Sequence, residues 1–224
     1  MTLDHLLENN RLWVREFYGH ATSDRQTRTP RYCWIGCCDG PFGIAPRLGL
    51  EPRDLFIHRN LANIVCSLDT NGLAALQYAV DVLEVQHIIV CGHSKCRGVL
   101  AATNDEPLGL TDHWVSEIME LPEELGSTGE YALDAEKATR LSIRNVQAQV
   151  SKLCHLRMVR DAWQRDQALS VHGWMYDDDT GLFRTLRSNT HCVDTVVPSK
   201  ALTRDQGSAR HPDERIKSHD ATTA

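Results

Sequence analysis

Cys37, His93 and Cys96 are the residues of this 224-residue chain whose types and spacing point to chemistry. They lie in two short segments, Trp34-Ile-Gly-Cys-Cys-Asp39 and Val90-Cys-Gly-His-Ser-Lys-Cys96, each an apolar run that ends in a turn-like cluster. Two thiolates and one imidazole suit Zn²⁺, and three protein ligands leave a fourth position open for water. Water there becomes hydroxide near neutral pH, so the set reads first as the site of a zinc enzyme with one Zn²⁺ per chain. A His-x-x-Cys pair alone carries little weight, because Cys and His also pack as ordinary buried residues. The weight comes from the pairing of two segments that both look like short buried strands with a glycine near the end.

Such strands must bring the three side chains to one point. In an open α/β sheet, ligands gather beyond the carboxyl ends of the strands. Strands are expected near 31–37, 54–58, 87–92, 157–159 and 168–173. Helices are expected over 3–20, 73–83, 94 to about 103, 112–121 and 134–152, with a helical or turn-like stretch near 44–50. The break at 121–129 is a loop by composition. Asp177-Asp-Asp-Thr-Gly181 reads as a turn rather than a cation site, since it lacks a longer acidic ligand pattern. The fold class is α/β, a mainly parallel central sheet of about four or five strands flanked by helices.

The two ligand segments resemble those of the β-class carbonic anhydrases. The resemblance extends to Leu50-Glu-Pro-Arg-Asp-Leu-Phe-Ile-His-Arg-Asn-Leu-Ala-Asn63, to Gln77-Tyr-Ala-Val-Asp-Val-Leu83, and to Val171-His-Gly-Trp-Met-Tyr176 with Thr180-Gly-Leu-Phe183. It runs from about residue 5 to residue 185 and implies a β-carbonic anhydrase-like domain over 1–198, with an N-terminal helical arm over about 1–25. The polar tail over 199–224 is not covered and reads as flexible. The resemblance implies that zinc hydroxide attacks CO₂ to give bicarbonate, in a homodimer or homotetramer with the active site at the subunit interface. It also implies that Phe56, Leu76 and Tyr78 help line an apolar substrate entrance; simple core packing is the other reading of the three.

The chain departs from the family where catalysis is set. The family's first motif is Cys-x-Asp-Ser-Arg; here it is Cys37-Cys38-Asp39-Gly40-Pro41. In the family the Arg holds the Asp away from zinc, and the Asp accepts a hydrogen bond from the zinc-bound water or hydroxide. Proline has no charge and no donor, so Pro41 cannot replace a guanidinium. Two outcomes follow. Asp39 swings in as a fourth zinc ligand and closes the site, or another cation pairs with it. Arg97, standing where the family has Gly after the second metal Cys, is the candidate partner; a solvated basic side chain is its bland reading.

Some relatives bind bicarbonate at a non-catalytic Trp, Arg and Tyr, and the matching positions here are Trp34, Arg59 and Tyr176. Ordinary packing of aromatic rings on an arginine stem explains the same residues. Three functions therefore stand: a carbonic anhydrase, weak or regulated by bicarbonate; a zinc hydrolase of the same fold acting on carbonyl sulfide, carbon disulfide or another small carbonyl compound; and a silent, closed-zinc bicarbonate sensor.

Composition narrows the partners. Hydrophobic residues make up 42% and charged residues 24%, as in a soluble globular protein. A net charge of −6 argues against nucleic acid. No apolar run approaches membrane-spanning length, and the N-terminus lacks a secretory pattern, so the expected location is cytoplasmic. The eight cysteines are read as metal ligands and free thiols rather than disulfides.

Overall fold

Four strands lie side by side in parallel. The computed structural model describes residues 3–17, 29–41, 43–102, 107–121 and 134–186. Strands β1 (Tyr32–Cys37), β2 (Leu55–Asn60), β3 (His87–His93), β4 (Ser170–Tyr176) and β5 (Phe183–Leu186) form one sheet in the order β2-β1-β3-β4-β5. The first four are parallel and β5 runs antiparallel to β4. β1 and β3 are buried almost throughout, which is why they read as unbroken apolar runs rather than alternating ones.

α-Helices precede and connect the strands. They are α1 (Asp4–Phe17), α2 (Ile44–Arg47), α3 (Thr70–Gln77, continued as a π turn over Tyr78–Val82), α4 (Arg97–Ala101), α5 (Leu110–Met119), α6 (Asp134–His155) and α7 (Arg157–Gln164). α6 buries Val146, Val150 and Leu153 against β3 and β4, positions that recur at three- and four-residue spacing. Each such side chain contributes about 1.5–3 kcal/mol when fully buried.

Two expectations are corrected. Residues 157–159 are not a strand but the start of α7. Its buried Val159 and Ala162 and packed Trp163 follow a helical period that a three-residue window cannot show. Cys154 is not a free thiol: it is disulfide-bonded. Cys33, Cys37, Cys38, Cys66, Cys91 and Cys96 are free, and burial pushes the Cys33 thiol up to about 12. The loop over 121–129, apart from its first residue, and the tail from 199, with Cys192, also lie outside the described residues.

Candidate metal centre

Cys37 is the last residue of β1 and His93 the last of β3, and these strands are adjacent. Cys96 follows three residues later, at the N-cap of α4. One sulfur or nitrogen atom from each residue lies within 4.8 Å of the others, and all three residues are buried. The two sulfurs are 3.5 Å apart. Cys37 Sγ also accepts the N–H groups of Asp39 at 3.3 Å and Ala62 at 3.2 Å. The hydrogen bond with Cys96, then the neighbouring His93 ring and these amides, push the Cys37 thiol down against its burial. The same hydrogen bond, together with burial, pushes the Cys96 thiol up. Cys37 is thus the more readily ionised sulfur of the pair, and the thiolate is the form a metal takes.

His93 presents its other face to the protein. Nδ1 lies 2.9 Å from Asp178 Oδ2, whereas Nε2 is buried with no hydrogen-bond partner. Burial disfavours charge on the ring, but the nearby Cys37 sulfur and Asp178 outweigh it and raise the His93 pKa. An orphaned buried nitrogen beside two sulfurs is costly unless something fills the gap. The donor set and this orphan fit a tetrahedral zinc site with one position left over.

The surrounding turns are held tightly. Ala62 and Asn63 sit at φ of 62° and 50°, the left-handed region, which non-glycine residues rarely adopt. Asn60 brackets this turn through Ile64, accepting its N–H and donating to its carbonyl, both at 2.8 Å. Asn145 donates to Ala62 O at 2.8 Å, and Gln149 links Asn145 to the Val65 N–H. α6 thus pins the turn that aims Ala62 N–H at Cys37. α4 packs against the same turn at Gly98, where a Cβ would meet Leu61 at 2.8 Å.

The carboxylate of Asp39, side chain 10% exposed, faces Arg97. Oδ2 accepts the Arg97 main-chain N–H at 2.9 Å; Oδ1 accepts Nε at 2.7 Å and also Nη2. The hydrogen bond from the Arg97 side chain is the main cause holding the Asp39 carboxyl below its usual range. Asp39 is not among the three grouped ligands. Gly40, next in the turn, has no room for a side chain to spare: a Cβ would sit 3.2 Å from the His93 ring and 3.3 Å from Cys37 O.

The other sequence-derived residues fall into two groups. Trp34 and Tyr176 share a buried cluster, and Arg59 shares a sheet face with Trp34. The Arg59 guanidinium donates to three carbonyls of the metal turn: Pro41 at 2.8 Å, Gly40 at 2.9 Å, and Cys37. The Tyr176 hydroxyl instead accepts from Arg47 at 2.6 Å, a residue sequence reading did not single out. Phe56 and Tyr78 pack on each other with ring centroids 5.9 Å apart, and Leu76 is buried in the main core. Phe56 pairs with Cys33, four residues before Cys37, which places it about 13 Å back along the sheet. Within one chain these three do not reach the ligands. Asp178 was also missed: three adjacent aspartates look like any polar turn.

Two cysteine sulfurs and an imidazole at the carboxyl ends of adjacent strands of a parallel sheet define an α/β protein with a group able to bind a metal. Residues 32–183 match the family model for carbonic anhydrase, and the chain belongs to the β-carbonic anhydrase family. It is 31% identical over 196 residues to the carbonic anhydrase of Emericella nidulans, covering 83% of each chain. The solved β-carbonic anhydrase CafA of Aspergillus fumigatus is 32% identical with a TM-score of 0.74, over 84% of this chain and 92% of that one. One of two tetrameric β-carbonic anhydrases from Sordaria macrospora matches at 32% identity and a TM-score of 0.69, over 82% and 96%. Family and fold support a carbonic anhydrase-like, lyase-type function. Among the described residues no helix is long and apolar enough to cross a membrane.

Proposed function

We propose that this chain hydrates CO₂ to bicarbonate, with zinc held by Cys37, His93 and Cys96 and with the Asp39–Arg97 pair in place of the family's Asp and Arg two residues apart. Zinc bound there lowers the pKa of water enough to supply a nucleophile for CO₂ near neutral pH. The observation that carries the reading is the turn of Asp39 toward Arg97 rather than toward the grouped ligands. A carboxylate kept ionised and fixed in this way is a ready acceptor for the proton of the attacking oxygen, and so orients it. Arg97 supplies charge and two donor groups to Asp39, as a guanidinium can from any direction that lets its fork meet a carboxylate.

The functional unit in this reading is an oligomer. α1 leaves Leu6, Leu7, Trp13 and Val14 between 41% and 59% exposed, an apolar stripe at helical spacing. A second subunit is the natural cover for it, and also the means by which Phe56, Leu76 and Tyr78 would approach a neighbouring metal centre.

Bicarbonate control is a second reading, favoured by Arg59. Its guanidinium holds the carbonyls of the turn that carries Asp39, so an anion that captured Arg59 would release that turn.

Stopped-flow CO₂ hydration by zinc-replete protein, from neutral to alkaline pH, tests the main reading. Turnover is expected. A zinc-replete protein that never turns over CO₂ refutes it; sulfide release from carbonyl sulfide would then identify the hydrolase, and bicarbonate-dependent stability without turnover the sensor.

A further inference from the structure

Asp178 lies in the turn between β4 and β5, outside every motif that marks the metal centre, yet it grips one of the ligands. We propose that Asp178 is the positioning residue of His93: its carboxylate fixes the ring tautomer and orientation that present Nε2 to the metal. The inference rests on the metal-centre reading above.

An imidazole at a strand end can offer either nitrogen. A carboxylate only accepts hydrogen bonds, so the nitrogen facing it must carry the proton. Asp178 Oδ2 lies 2.9 Å from Nδ1, which leaves the lone pair on Nε2, the buried atom without a partner. Histidine ligands are oriented in this way in many metal sites, and the carboxylate also makes the ring a stronger donor to the metal.

The carboxylate is itself held in place. The same Oδ2 accepts the Lys95 N–H at 2.9 Å and lies 3.4 Å from Ser94 Oγ, while Asp178 N–H donates to Ser94 Oγ at 3.0 Å. Ser94 N–H donates to Tyr176 O at 3.0 Å, so the chain leaving β3 is tied to the chain leaving β4. The neighbouring aspartates act elsewhere. Asp177 accepts the N–H groups of Asp179 and Thr180, both at 2.9 Å, and closes its own turn. Asp179 pairs with the exposed Lys95 ammonium. Of three adjacent carboxylates, one reaches the metal ligand.

The test compares Asp178→Ala, Asp178→Asn and Asp179→Ala with the unaltered protein. Zinc affinity is read by chelator competition, the ligand field by the absorption bands of the cobalt-substituted protein, and turn stability by urea melts of metal-free protein. Asp178→Ala is expected to weaken zinc binding by about 10–100-fold and shift the cobalt bands. Asp178→Asn keeps an acceptor and should recover most of the loss; Asp179→Ala should bind zinc normally. Unchanged zinc affinity in Asp178→Ala would overturn the proposal. So would a loss shared by Asp179→Ala, or one accounted for by equal destabilisation of the metal-free chain. If the unaltered protein binds no zinc, the metal-centre reading itself fails, and the role of Asp178 with it.

Discussion

Asp39 takes hydrogen bonds from both the main chain and the guanidinium of Arg97, 58 residues away in sequence. The contact exists because β1 and β3 are parallel neighbours and both end in turns at the same, carboxyl end of the sheet. It joins the turn after Cys37 to the first residue of α4, beside Cys96.

Removing the guanidinium should therefore unlatch Asp39. Arg97→Ala is expected to lower CO₂ hydration by several-fold, because the guanidinium that fixes Asp39 is largely exposed and its charge is screened by solvent. Arg97→Lys should lose less. Adding Pro41→Arg to Arg97→Ala should restore activity, because it returns the guanidinium to the turn itself; stopped-flow rates with no loss in Arg97→Ala would refute the latch.

Gly40 should resist any side chain. Gly40→Ser places a Cβ 3.2 Å from the His93 ring, closer than a relaxed contact. Weaker zinc retention in a chelator competition is the expected result. Full retention would mean that the turn yields without moving the histidine.

Gln149 should matter to stability more than its distance from the metal suggests. Its side chain is the acceptor for Val65 N–H at 2.9 Å and the donor to Asn145 Oδ1 at 2.8 Å, all buried. Gln149→Leu leaves both groups unpaired and should cost about 1–3 kcal/mol in urea unfolding for each group stranded.

The pH response of stability should carry a signature of His87. Burial, then His172 and Arg31, push its pKa from 6.5 down to about 4. Between those values the unfolded chain binds a proton that the native state refuses, so stability falls as pH drops through the window and His87 contributes no further loss below it. His87→Gln should therefore show a smaller drop in Tm between about pH 7 and 5, by a few °C. Protonation of the metal ligands is common to both proteins and cancels in the comparison. Equal drops would contradict the assignment.

The stripe on α1 predicts an assembly. Leu7→Glu with Val14→Glu should shift sedimentation toward the monomer and lower activity if the neighbouring subunit lines the site. An unchanged sedimentation coefficient would exclude α1 from the interface.

The strands near 31–37 and 87–92 were legible because buried parallel strands keep their apolar character residue after residue, whereas the strand near 168–173 shows as alternation, with Leu169, Val171 and Gly173 buried. Met158 and Val159 misled because two adjacent apolar residues fit a strand or a helix equally. Only the continuation through Ala162 and Trp163 separates them. The disulfide at Cys154 was invisible for another reason: pairing depends on which thiols meet in space.

By itself the sequence determined the donor types, their place at the ends of apolar runs, the family, and the proline at 41. These are local facts of composition and spacing. Only the tertiary structure decided that Arg97 faces Asp39, that Arg59 is occupied by the carbonyls of the metal turn, and that Asp178 takes Nδ1 of His93 and leaves Nε2 toward the sulfurs. Each is a contact between segments brought together by strand order, and strand order is set by how the whole sheet and its helices bury their apolar faces rather than by any one stretch of residues.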